Sequence, residues 1–91
     1  MKAEHAYSIR IYGRVQGVGF RYYTQQKAVK LGLTGFVSNK ADGSVYIEVE
    51  GDELRLNEFL SWCQTGPQWA HVLKVQSNEL PPVGYNSFTI K

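Results

Sequence analysis

The strongest constraint on this chain is a hydrophobic period that switches between two and about 3.6 in a fixed order. Tyr7, Ile9 and Ile11 alternate with Ser8, Arg10 and Tyr12, the period of a half-buried strand. Phe20, Thr24, Ala28 and Leu31 then fall four, four and three apart, which stacks them on one face of a helix. Gly32 stands where that helix must end, because glycine enters the left-handed conformation without strain. Leu33 to Asn39 reads as a second strand. After the Asp42-Gly43 turn signal, Val45, Ile47 and Val49 alternate with Tyr46, Glu48 and Glu50 in a third. Asp52 caps a second helix, Glu53 favours its positive end, and Leu56, Phe59, Leu60 and Cys63 form its buried stripe. Gly66-Pro67 stops it. Ala70 to Ser77 reads as a fourth strand. Pro81-Pro82 punctuates the loop that follows, and Phe88 with Ile90 suggests a short fifth strand.

Strand, helix, strand, strand, helix, strand is the ferredoxin-like split βαβ plan. The fold class expected is therefore α+β: an open-faced sandwich with a mostly antiparallel sheet, two helices on one face and a short extra strand at the C-terminus. Ninety-one residues fit one domain spanning 1–91. No apolar run approaches the roughly 18 residues of a membrane span, and the first residues lack a secretory pattern. A single cysteine, Cys63, excludes an internal disulfide and a cysteine-built zinc site. A cytoplasmic location is the expectation.

The split βαβ plan has a geometric consequence. Its first two strands run parallel, joined by a right-handed crossover helix, so their carboxyl ends share one edge of the sheet. The stretch Gly13 to Phe20 leaves from the first end and Asn39 from the second. They are expected to be neighbours in space.

That stretch, Gly13-Arg14-Val15-Gln16-Gly17-Val18-Gly19-Phe20-Arg21, is the strongest chemical feature. Gly17 and Gly19 permit positive φ, so successive N–H groups can curl toward one point. With the free N–H groups of the helix start they form a cradle for a phosphate-sized anion. A tight turn with no ligand would use the same glycines. Arg21 favours the anion: it lies in the first helical turn, where the dipole disfavours a cation. Charge distribution agrees, since His5 to Ala41 contains six bases and no acid, whereas Asp42 to Lys91 has seven acids and three bases. The loop is neither a Walker A motif nor a dinucleotide fingerprint. It holds no Cys, Ser, Asp or His to attack phosphorus, so if chemistry happens here, water is the nucleophile. Asn39 can orient water as both donor and acceptor, although an asparagine here also suits a turn.

These residues resemble the two signature stretches of the acylphosphatases. The matching positions are Gly13-x-Val15-Gln16-Gly17-Val18-x-Phe20-Arg21 and Gly35-Phe36-Val37-x-Asn39-x-x-Asp42-Gly43-x-Val45, continuing through Gly51, Phe59, Trp62, Gly66-Pro67, Ala70, Val72 and Val75 to Phe88-x-Ile90-Lys91. Gln68-Trp69 departs from the smaller residues or prolines more usual there. The resemblance implies a hydrolase that splits acyl phosphates into carboxylate and inorganic phosphate without a metal or cofactor. It implies phosphate held by the loop from Val15 through Gln16, Gly17, Val18, Gly19 and Phe20 to Arg21, with Arg21 and Asn39 catalytic. The expected ligands are a small acyl phosphate and, as product-like anions, inorganic phosphate or sulfate. A monomer with neither nucleic-acid nor membrane partners is expected.

Two other readings stay open. RNA-recognition domains share this topology and stack bases on the open sheet face, but here that face would carry Glu48 and Glu50 beside Arg10, Tyr12 and Tyr46, and carboxylates repel phosphates. Alternatively, the same loop could serve a phosphate-sensing or carbamoyl-phosphate-handling domain. His5 and His71 show no ligand spacing, Asp42 reads as a turn residue, Arg14 as a solvated base that could also add positive potential at the loop mouth, Trp62 as packing or half-exposed beside the helical stripe, and Trp69 as a loop-surface residue.

Overall fold

Ile9 pairs with Ile47 and Ile11 with Val45 across an antiparallel ladder, and all four side chains are fully buried. This ladder joins β1 (His5–Arg14) to β3 (Val45–Gly51) at the centre of the computed structural model, which describes residues 4–17 and 19–91. β4 (His71–Leu80) pairs antiparallel with the other side of β1, β2 (Thr34–Asn39) antiparallel with β3, and β5 (Phe88–Ile90) parallel with β2. The sheet order is β4-β1-β3-β2-β5. β1 and β2 therefore run parallel with β3 between them, the split arrangement expected from the sequence.

Helices α1 (Phe20–Lys30) and α2 (Glu53–Cys63) supply the second layer. Phe20, Thr24 and Ala28 of α1 and Leu56, Phe59 and Cys63 of α2 are buried in one core with Val37, Val45, Ile47 and Val49. Leu60 is only partly buried against that core. Burial pushes the Cys63 thiol up, well away from its reactive range. Asp52 caps α2 by accepting a hydrogen bond from the Arg55 N–H at 2.9 Å. At the end of α1 the Leu33 N–H reaches the Ala28 carbonyl and the Gly32 N–H that of Val29. This Schellman closure requires the left-handed φ of 71° that Gly32 adopts. It delays the second strand by one residue, to Thr34.

Strand ends differ most from the sequence reading. β1 runs through Gly13 and Arg14, read above as loop, because β4 offers partners through a register shift at Tyr12/Gly13. β4 likewise extends to Leu80, where it still faces Ala6. Antiparallel pairing sets both ends, and hydrophobic alternation does not report it.

The open face requires a correction. Glu50 was expected exposed there, yet it is only 2% exposed. Its carboxylate accepts hydrogen bonds from the N–H groups of Val83 at 2.5 Å, Gly84 at 3.0 Å and Tyr85 at 3.1 Å. The segment 83–85 thus folds over the sheet. Beside it, the Tyr46 and Tyr85 hydroxyls donate to the two oxygens of Glu48 at 2.7 and 2.8 Å. Burial first, then these bonds to a carboxylate, push both phenols up to about 12. A base-stacking platform would need this face uncovered. Replacing the three-way acceptor by Glu50→Gln is expected to lower unfolding free energy by about 2–3 kcal/mol, since bonds to a charged group are worth about 1.5–3 kcal/mol. The midpoint and slope of a urea titration will measure the change.

Candidate active site

The parallel pair brings the carboxyl ends of β1 and β2 to one edge, with the amino ends of β3 and β4 beside them. The turn from Arg14 to α1 spans this edge. Val15 and Phe20 are almost completely buried in the core, so they anchor the loop by their side chains and leave only main-chain groups toward solvent. Gly17 and Gly19 adopt φ of 74° and 77°. The conformation at Gly19 is the left-handed N-cap of α1, which an L side chain rarely adopts. Val18, expected to contribute an amide, lies outside the described residues.

α1 starts with no side-chain cap and no acid in its first turn. The Tyr23 N–H donates to the Gly19 carbonyl at 3.1 Å, the bond that opens the helix among the described residues. Among the described residues, the N–H groups of Gln16, Gly17, Gly19, Phe20 and Arg21 donate to no backbone carbonyl outside a helix or strand. Free N–H groups at the positive end of a helix favour a nearby anion.

Gln16 has a role that its position in the loop did not reveal. Its side-chain amide donates to the Lys40 carbonyl at 2.7 Å and the Ser44 carbonyl at 2.9 Å. Lys40 directly follows Asn39, so this carboxamide straps the loop to the end of β2. The strapped turn is itself braced. Asp42 Oδ1 accepts from the Ser44 N–H at 2.9 Å and the Ser44 hydroxyl at 2.5 Å. Arg10 Nε donates to Ser44 Oγ at 2.9 Å, and Arg10 Nη2 reaches Asp42 Oδ2 at 3.2 Å. The Ser44 donors, with the Arg10 guanidinium beside them, hold Asp42 below its ordinary value of 3.8. Asp42 is thus the turn residue expected.

Asn39 is the last residue of β2, pairs with Val45 and presents an exposed side chain. Its carboxamide makes no hydrogen bond within the described residues. Arg21 is partly exposed and donates from Nη1 to the Lys91 main-chain oxygen at 3.0 Å. Because β5 runs parallel beside β2, this bond carries the guanidinium toward the same edge. The guanidinium has five N–H donors, so one bond leaves others for a ligand. Lys91 was not singled out as a neighbour of Arg21. A separation of 70 residues leaves no local signal of it.

Arg14 is exposed and stands opposite His71 in the β1–β4 ladder. His5 lies at the other end of β1, near Glu79 at 3.6 Å. Trp62 packs against the core, and Trp69 is 56% exposed. Among the described residues no three His, Cys, Asp or Glu side chains cluster as metal ligands. Nor is any described helix long and apolar enough to cross a membrane.

An exposed carboxamide, a guanidinium and a helix start without a side-chain cap thus share one edge of a split βαβ sheet. An acylphosphatase family model matches residues 7–90. The chain is 51% identical over 86 residues to an acylphosphatase of Thermotoga maritima, covering 94% of this chain and 96% of that protein. It superimposes on the crystal structure of an acylphosphatase from Bacillus subtilis with a TM-score of 0.93 and 39% identity, over 96% of this chain and 98% of that one. For an acylphosphatase from Coxiella burnetii the values are 0.94 and 31%, over 98% and 94%. The chain belongs to the acylphosphatase family, enzymes that hydrolyse acyl phosphates.

Two outcomes test this construction. Gln16→Ala is expected to cost about 1–2 kcal/mol, because two carbonyls lose their donor, and hydrogen exchange should speed up selectively in residues 15–19 and 40–44. Asp42 is depressed in the folded state, so its contribution is complete above the ordinary carboxylate value and fades as pH falls through the lower folded one. The thermal midpoint of Asp42→Asn should therefore lie below the parent's at neutral pH, with the gap closing below about pH 3.8.

Proposed function

We propose that this chain, acting as a single domain, splits the carboxyl–phosphate bond of acyl phosphates with Arg21 and Asn39 as catalytic residues. The phosphoryl group sits in the cradle formed by the main chain from Val15 to Arg21. This includes Gln16, Gly17, Val18, Gly19 and Phe20, and the Arg21 guanidinium closes over it. Asn39 accepts from, and donates to, the attacking water. The observation that carries this reading is the Gln16 strap, which holds the cradle one residue away from Asn39.

Elementary chemistry explains why so few groups suffice. The departing carboxylate has a conjugate acid of pKa about 4, so it leaves without a general acid. Phosphoryl transfer runs through a loose transition state, in which positioning and charge stabilisation supply most of the acceleration. The developing equatorial charge meets amides already oriented by the loop, with no reorganisation at the moment of reaction. A phosphate oxygen of the substrate takes the proton from water, leaving no protein base to find.

The two residues have separable roles. Arg21→Ala should lower kcat by at least about 10²–10³, the usual cost of one preorganised donor, and also weaken inorganic phosphate binding. Asn39→Ala should lower kcat as severely while leaving phosphate affinity within about threefold, because water, not phosphate, loses its partner. Acyl phosphate turnover and calorimetric phosphate titration read both quantities, with a chelator arm in the turnover assay. Retained turnover in either folded variant removes that residue from its role.

A further inference from the structure

Arg21 is not fastened alone. It lies four residues before Gln25 on α1, which sets both side chains on one face of the helix, and both reach the segment 88–91. Arg21 donates from Nη1 to the Lys91 main-chain oxygen at 3.0 Å, and Gln25 donates from Nε2 to the Phe88 carbonyl at 3.1 Å. As α1 runs from 21 to 25, its acceptors run from 91 back to 88. Helix and segment are therefore antiparallel neighbours, joined at two points about one helical turn apart.

The same segment bridges Arg21 to Asn39. The Lys91 N–H donates to the Val37 carbonyl at 2.8 Å, and Val37 stands two residues before Asn39 on β2. One residue thus accepts from Arg21 through its oxygen and reaches the strand of Asn39 through its nitrogen. The bridge rests on a slender support. β5 is three residues long, stands at the edge of the sheet and pairs with β2 alone among the described strands. Phe88 is buried against Phe59, whereas Thr89, Ile90 and Lys91 are exposed. On the open face the Lys91 ammonium lies 4.0 Å from the centre of the Phe36 ring. On the helix face Gln25 holds the Phe88 carbonyl. Short edge elements with exposed backbone hydrogen bonds open readily, so each such fastening matters to where the Lys91 oxygen stands.

We infer that Gln25 is a positioning residue for Arg21: by fixing the Phe88 carbonyl it steadies the Lys91 oxygen, and through it the guanidinium, at a set separation from Asn39. The inference rests on the catalytic reading above and adds to it a residue that touches no substrate. An arginine side chain has many rotamers to lose. A steady acceptor restricts them before the phosphoryl group arrives, so less freedom is lost on binding.

The test uses Gln25→Met, which keeps the side-chain length and a good helix former but removes the donor. Gln26→Met, at an exposed neighbouring position, is the control, and thermal midpoints will verify that both variants are folded. Nitrogen-15 relaxation without ligand reads the Arg21 Nε–Hε group, whose order parameter should drop in Gln25→Met below about 0.6, the flexible range. The backbone amides of 15–17 should keep their parental values, which separates loss of positioning from general loosening. Turnover of acetyl phosphate should fall about tenfold in kcat, short of the roughly hundredfold that an ångström of misplacement can cost. Calorimetric affinity for inorganic phosphate should fall about threefold, because Arg21, unlike Asn39, serves binding and turnover together. Gln26→Met should leave every quantity within about twofold of the parent. If the Arg21 order parameter stays parental in Gln25→Met, the positioning role is overturned and the catalytic reading is untouched. If the guanidinium loosens while turnover and phosphate affinity stay parental, the role is overturned as well, and Arg21→Ala then shows whether the catalytic reading falls with it.

Discussion

One carboxamide ties together the two segments that leave the shared edge of β1 and β2. Gln16 spans from the loop after β1 to the turn after β2 and satisfies two carbonyls there. Without that strap, the parallel strands would still deliver both segments to one edge, since β3 separates them by only two strand spacings. Delivery to an edge is coarse, however, and catalysis by positioning tolerates little slack: an ångström of misplacement can cost orders of magnitude. The strap turns topological proximity into a fixed separation. Its acceptors are steady because Asp42, Ser44 and Arg10 brace the turn that carries them.

The loop is poised by what it lacks as much as by what it contains. A helix start ordinarily finds a Ser, Thr, Asp or Asn to satisfy its first amides. α1 has glycine at its N-cap, no side-chain cap and no acid in its first turn. α2 in the same molecule has the opposite arrangement, with Asp52 as cap and Glu53 in its first turn. Two helices of equal length, eleven residues each, are thus closed at one start and open at the other. Only the open one faces the shared edge of β1 and β2. The price of the open start is a cation, Arg21, held at the wrong end of a dipole, and the Lys91 oxygen partly offsets it.

Carboxylates on the opposite side of the sheet illustrate a second use of backbone donors. Glu50 gathers three successive N–H groups of 83–85, and so pins a proline-punctuated segment that has little apolar surface of its own. Here the anion belongs to the chain and the donors close on it permanently. At the shared edge of β1 and β2, by contrast, the start of α1 has neither a side-chain cap nor an acid in its first turn. The interaction that stabilises the fold at Glu50 has no side-chain counterpart at the start of α1.

Much of this was legible from residue order. The α+β split plan followed from the switching period, and the shared edge followed from the handedness of the crossover. Gly17, Gly19, Arg21 and Asn39 stood out because each has a local signature: positive φ, an unfavourable dipole position, the end of a strand. Gln16 entered only as one more loop residue, Glu50 seemed exposed, and Lys91 had no assigned partner. Their contacts span 24 and 28, 33 to 35, and 70 residues respectively. Sequence alone determined which segments are strands and helices and which backbone donors go uncapped, because periodicity and capping act over a few neighbouring residues. Only the tertiary structure decided which distant carbonyl, carboxylate or ring each side chain meets, because register and loop path set those distances and leave no periodic trace.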